Sequence, residues 1–289
     1  MILVTGANGT TGSEVTRQLA ASARRVRAMV RRLENAAALP KDRVEIVLGS
    51  FADIASLDAA MAGVDGVFLI SFEDADQLAL QRNVIEAARR AGVRMVARLS
   101  ASSADPESTD PLVRNHGLGD RQLTESGLGH VLLRPQWFNQ NFLTDCPGGI
   151  IALPAGDARL PFVDVRDIAA VAIKALTEKG HDGKAYVLTG PEALNHDEVA
   201  AILSAATGRR FVYEDVAPDA YRRTLIAAGI SDYRAELVLN LFARMRRGTA
   251  YPVHDDVARV LGRPPIAFRD FARDHATALA EQAPDPLSS

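Results

Sequence analysis

Short apolar runs alternate with segments of helical spacing along the first half of the chain. ILVTG (2–6), RVRAMVRR (25–32), VEIVLGS (44–50), GVFLIS (66–71), RMVARLSA (94–101) and HVLLRPQWF (130–138) read as strands. SEVTRQLAAS (13–22), SLDAAMAG (56–63) and DQLALQRNVIEAARRAG (76–92) carry apolar positions three and four apart and read as helices. Strands this apolar are buried on both faces. The pattern therefore predicts an α/β doubly wound fold, a parallel sheet with helices on each side.

The second half changes character. DIAAVAIKALTE (167–178) reads as a helix with Asp167 as its N-cap, and KAYVLTG (184–190) as a strand. NHDEVAAILSAATG (195–208) reads as a helix, with Asn195 and Glu198 at capping-box spacing. From about Ala217 onward the chain reads as helices broken by Gly and Pro. The expected organisation is a Rossmann-type core over 1–150, rejoined by strand 184–190, and a smaller, mainly helical lobe over 151–289.

The stretch PLVRNHGLGDRQLTESG (111–127) is a helix with an irregular middle. Pro111 suits a first helical position and Gly127 a C-terminal stop. Gly117 and Gly119 each cost about 1 kcal/mol against Ala inside a helix. They either admit a close neighbour or end the helix early. His116 and Asp120 stand four apart, on one helical face.

Composition narrows the picture. Of 289 residues, 24% are charged and the net charge is −3, which gives no global electrostatic case for nucleic acid or an anionic membrane. The expected partner is a small-molecule substrate, and the expected state a monomer or homodimer. One cysteine, Cys146, allows no intrachain disulfide and reads as a small buried hydrophobe. The first strand begins at Ile2, leaving no room for a signal peptide, and no apolar run reaches membrane-spanning length, so the chain reads as cytoplasmic.

VTGANGTTG (4–12) lies between the first strand and the first helix. Gly6 turns the chain off the strand, Gly9 admits a pyrophosphate to the backbone, and Gly12 lets helix and strand pack closely. Asn8, Thr10 and Thr11 complete the loop, and the helix end adds its N–H groups and dipole. This is a dinucleotide-binding arrangement. The second strand ends in Arg31 and Arg32, where an NAD-binding chain carries an acidic residue, and a guanidinium pair favours the extra phosphate of NADP. NADP(H) is the expected cofactor.

The loop spacing is GxxGxxG. Together with VRAMVRR, LLRPQWFNQNF (132–142), LPFVDVRDIAAVA (160–172) and YVLTGPEALNHDEVAAILSAATGR (186–209), it resembles the NmrA-like branch of the short-chain dehydrogenase/reductase superfamily. That group includes bacterial type-2 NAD(P)H:quinone oxidoreductases. The resemblance runs from residue 2 to about 210, and weakly to 261–272. It implies that Ser50 and Phe51 border the adenine, that Ile70, Ser71 and Phe72 pass the ribose and phosphate, and that Ser100 and Ala101 lie near the nicotinamide ribose. Pro135, Trp137 and Phe138 would line the nicotinamide face. Ser102, His116, Trp137, Phe138 and Phe142 would form the substrate pocket, with an aromatic floor.

Alcohol-active members of the superfamily use Tyr-x-x-x-Lys, in which Tyr delivers a proton. Here Tyr186, Tyr213, Tyr221, Tyr233 and Tyr251 are not followed by Lys at the fourth residue, and no Lys lies between 42 and 173. That chemistry is excluded by inventory. Three readings stay open: NADPH-dependent hydride transfer to a quinone or related aromatic, a non-catalytic NADP sensor, and a natural-product tailoring enzyme. His116 is the candidate proton donor, with Asp120 favouring its imidazolium. Asp164 with Asp167, the single histidines His181, His196 and His254, and Ser102 with Ser103 show no metal-ligand or nucleophile spacing.

Overall fold

The six apolar runs of the first half form one parallel sheet. They are β1 (Ile2–Val4), β2 (Val26–Val30), β3 (Val44–Leu48), β4 (Gly66–Leu69), β5 (Met95–Leu99) and β6 (Gly129–Pro135). After β7 (Ile150–Leu153), which belongs to a second sheet, β8 (Lys184–Leu188) joins the first beside β6. The order is β3-β2-β1-β4-β5-β6-β8, and it reverses direction at the β1/β4 boundary. The structure is a computed structural model that describes residues 1–22, 24–71, 75–248 and 251–283.

Three helices, α1 (Thr10–Ala21), α2 (Ile54–Met61) and α3 (Gln77–Arg90), fill three of the four connections between the first five strands, a 3-10 turn joins β2 to β3, and α4 (Pro111–Thr124) follows β5. Leu57, Met61, Val84, Ile85 and Leu123 from α2, α3 and α4 pack on Leu3, Val67, Leu69, Val96 and Leu132 of the strands, all fully or nearly buried. Alternation along each strand sends the neighbouring side chains to the other face. There α1 packs against α5 (Val165–Thr177), and Leu176 of α5 lies near Gly66.

The chain divides into two compact units: 1–135, 165–188 and 256–262 in the first, and the remainder in the second. This differs from a cut at residue 150. Residues 136–150 follow the second unit, whereas α5 and α9 (Asp256–Leu261) pack on the sheet unit. The second unit holds β7 paired in parallel with β9 (Val212–Asp215). Its helices are α6 (His196–Thr207), α7 (Pro218–Ala227), α8 (Asp232–Arg247), α10 (Phe268–Asp274) and α11 (Ala276–Ala280). Phe142, Phe162, Phe242, Phe268 and Phe271 form its core.

Local signals set several boundaries. Asn195 and Glu198 make the expected capping box, and Gly208 ends α6 at φ +67°. Helix α5 begins at Val165, two residues earlier than expected, so Asp167 lies buried in its first turn instead of capping it.

Candidate functional site

The glycine loop is a cradle that larger residues would fill. Gly6 sits at φ +57°, and a β-carbon on Gly12 would lie 2.1 Å from the Gly6 carbonyl oxygen. The Gly9 amide donates to that same oxygen at 3.0 Å. Thr5 stitches the loop to β4: its hydroxyl accepts from the Ile70 amide at 2.9 Å. Helix α1 starts at Thr10 with no side-chain cap and no acidic residue in its first turn. Its positive end is therefore open to an anion. Asn8, Gly9 and Thr10 are exposed around it, and Thr11 is buried. This cradle fits a pyrophosphate.

Sheet order places the other expected residues in one row. Ser50 follows β3, Arg31 and Arg32 follow β2, Gly6 follows β1, Ile70 and Ser71 follow β4, Ser100 and Ala101 follow β5, and Pro135 ends β6. All stand at carboxyl ends of parallel strands on either side of the β1/β4 switch, where ligands of open α/β sheets bind. The Ser100 amide donates to the Leu133 carbonyl, and the Ser102 amide to the Pro135 carbonyl, so the ends of β5 and β6 are tied together. Phe72 lies outside the described residues.

Arg31 and Arg32 are exposed, and Arg32 pairs with Glu34 at 3.4 Å. Glu34 stands beyond the strand, in a 3-10 turn over Leu33–Ala36. The Ser50 hydroxyl accepts from the Ala52 amide and so serves its own turn. Phe51 points into the apolar core at 9% exposure, and its carbonyl accepts from Asn83.

The structure decides between the two readings of the α4 glycines and corrects one expectation about Asp120. The helix runs unbroken from Pro111, capped by Asp110, whose carboxylate accepts from the Leu112 and Val113 amides. Its glycines are close-approach sites. A β-carbon on Gly117 would lie 2.1 Å from the Pro106 nitrogen, and one on Gly119 would lie 2.4 Å from Arg98 Nη2. Asp120, in turn, is not the partner of His116. It is 4% exposed, and its Oδ1 accepts from Arg98 Nη1 at 2.6 Å. Its Oδ2 accepts from Arg134 Nε and Nη2 at 3.1 and 2.9 Å. A carboxylate committed to two guanidinium groups is not available to hold an imidazole in its protonated form. His116 itself is 8% exposed.

Arg98 and Gln81 were not legible as site residues. Each sits in a segment that reads as ordinary strand or helix. Arg98 is fully buried, and desolvation pulls its guanidinium below the usual arginine range against the opposing pull of Asp120. Its Nε donates to Gln81 Oε1 at 2.8 Å.

In the second unit, Trp137 stacks at a tilt on Phe242, 5.4 Å between centroids. Phe138 is half-buried and bridges Val163. Phe142 is 1% exposed and meets Phe162 and Phe268 edge-on, so it is a core residue, not the floor of a pocket. Asp164 is buried and accepts from Gln140 at 2.9 Å. His196 stacks on Tyr213 at 5.0 Å, and burial pushes its imidazole down to about 4. His181 meets the Tyr186 hydroxyl at 2.8 Å, while His254 is held by Thr189 through its backbone. Burial pushes the Cys146 thiol up to about 12. Among the described residues no cluster of His, Cys, Asp or Glu could hold a metal ion, and no helix is long and apolar enough to cross a membrane.

Known proteins match this chain over nearly the full length of both partners. The chain is 36% identical over 283 residues to the NAD(P)H azoreductase of Xenophilus azovorans, covering 96% of this chain and 99% of that one. It is 38% identical over 287 residues to the (4-alkanoyl-5-oxo-2,5-dihydrofuran-3-yl)methyl phosphate reductase of Streptomyces griseus, covering 98% and 100%. The crystal structure of an NADPH-dependent quinone oxidoreductase of Escherichia coli with NADPH superposes with a TM-score of 0.82 at 29% identity, covering 95% and 99%. Residues 6–179, from the first glycine of the cradle through α5, match the family model described as NAD(P)H-binding. A glycine cradle at the switch point of a parallel sheet is what that match describes in three dimensions, and the chain belongs to the NAD(P)H-binding family.

Proposed function

We propose that the protein is an NADPH-dependent oxidoreductase that reduces a quinone or a related conjugated aromatic compound. The observation that carries this reading is the pairing of an intact glycine cradle with a helix α4 that holds His116, Gly117, Gly119 and Asp120 and carries neither Tyr nor Lys. The site can hold a reductant, yet it has no dyad to protonate an isolated alkoxide.

Bound NADPH would supply the hydride. Gly6, Gly9, Gly12 and the start of α1 would hold its pyrophosphate, Arg31 and Arg32 its 2′-phosphate, and Ser71, Ser100 and Ala101 its riboses. An isolated carbonyl needs an acid at its oxygen as hydride arrives. A quinone does not, because the charge spreads into the ring as a phenolate that water can protonate. The substrates in the relatives' names fit this requirement: an azo group, an acyl-substituted unsaturated lactone and a quinone each delocalise the added electron pair.

The test is NADPH oxidation with a panel of quinones, azo dyes and simple aldehydes. Turnover with the conjugated acceptors and none with the aldehydes is expected. Tight NADPH binding without turnover of any acceptor would overturn the reading.

A further inference from the structure

A chain of polar side chains crosses the sheet unit at the carboxyl ends of its strands. Gln77 Nε2 donates to the Ser71 hydroxyl at 3.1 Å, and that hydroxyl approaches Gln81 Oε1 at 3.4 Å. Gln81 Nε2 donates to the Gly119 carbonyl at 2.8 Å. Gln81 Oε1 receives Arg98 Nε, Arg98 reaches Asp120, and Asp120 receives Arg134. Gln77, Gln81, Arg98 and Asp120 are all nearly or fully buried. The chain joins the ends of β4, β5 and β6, three neighbouring strands.

The orientation of this chain is dictated at one point. Arg98 has only donors, so the Gln81 amide must turn its oxygen toward Arg98 and its NH2 toward Gly119. With that oxygen fixed and Gln77 donating, the Ser71 hydroxyl points its proton at Gln81. One lone pair of the Ser71 oxygen is left unused by these two contacts, and a ribose hydroxyl could donate to it. Burial of a charge network is a poor route to stability, because apolar replacements of like volume often do as well. Gly119 is a further sign that the arrangement is built around Arg98, since any β-carbon there would strike the guanidinium.

We infer that Arg98 is a positioning residue for the cofactor, acting through Gln81 to orient the Ser71 hydroxyl. The inference rests on the NADPH reading above. Arg98→Met leaves Asp120 paired with Arg134, so no buried charge is orphaned. Gln81→Met breaks the chain without touching the ion pairs and serves if Arg98→Met does not fold.

The experiment is a double-mutant cycle of Arg98→Met, or Gln81→Met, with Ser71→Ala, read as the NADPH dissociation constant and as KM against kcat. Each single variant is expected to weaken NADPH binding about five- to twentyfold, with KM for the acceptor within twofold of the parent. The double variant should be no weaker than the worse single, and Arg98→Lys should restore part of the affinity. Independent effects that multiply, or unchanged NADPH affinity in a folded Arg98→Met or Gln81→Met protein, would overturn the inference. A parent protein that binds no nicotinamide nucleotide would instead sink the functional reading.

Discussion

Gly119 and Arg98 are packed so closely that a β-carbon at position 119 would lie 2.4 Å from Nη2 of the buried guanidinium, which would have to shift to admit it. Gly117 stands in the same relation to the backbone of Pro106, at 2.1 Å. In an exposed helix interior, Gly→Ala stabilises by about 1 kcal/mol. Here the sign reverses. Gly119→Ala and Gly117→Ala are each expected to destabilise by about 1–3 kcal/mol, the range for overpacking a filled site. Urea midpoints check this. A gain in stability at either position would mean the neighbours move aside.

The proposed preference for NADPH rests on two exposed arginines. Arg31→Ala with Arg32→Ala is expected to raise the NADPH dissociation constant at least about tenfold, or ~1.4 kcal/mol, and to leave NADH nearly unchanged. Glu34→Gln frees Arg32 from its 3.4 Å partner and should tighten NADPH slightly. Exposed pairs are worth about 0–1 kcal/mol, so the gain stays within a few fold. Titrations with both nucleotides decide it. Equal losses for NADH and NADPH would remove the phosphate role.

Asp120 serves two arginines, so it is not the carboxylate that would hold His116 as an imidazolium. His116→Asn is expected to change kcat by less than about tenfold and to leave the shape of the pH–rate profile intact. A general acid is worth about 10²–10⁴-fold. Loss of that size, together with a vanished limb of the profile, would restore His116 as the proton donor.

His196 sets part of the acid sensitivity. Burial pushes its imidazole from an ordinary 6.5 down to about 4. Above about pH 6.5 it is neutral in both folded and unfolded chains and adds no slope. Below that, the unfolded chain takes up a proton that the folded chain refuses, so stability falls as pH falls from about 6.5 to about 4. The full loss is on the order of 3 kcal/mol, at ~1.4 kcal/mol per pH unit. His196→Asn should flatten this part of the stability profile while lowering stability at neutral pH, since the ring stacks on Tyr213 and edges onto Phe162. An unchanged slope would show that another group carries the acid transition.

The sheet, the glycine cradle and the capping box at Asn195 were legible because each depends on residues close in sequence. An apolar run has one stable environment, and a glycine triplet after a strand has few uses. Domain boundaries and aromatic roles were less legible. Phe142 reads equally well as pocket floor or core, and only its packing against Phe162 and Phe268, 20 and 126 residues away, decides between them.

The amino-acid sequence by itself determined the parallel sheet, the phosphate-binding turn and the absence of a Tyr-Lys dyad, since an inventory needs no coordinates. Only the tertiary structure decided what Asp120 pairs with. Asp120 reads as the partner of His116 because a helix brings residues four apart onto one face. Its actual partners, Arg98 and Arg134, come from two neighbouring strands. A buried carboxylate pairs with whichever cations the fold delivers into the same low-dielectric space, and that delivery is a property of the packed sheet and helices, not of any short stretch of chain.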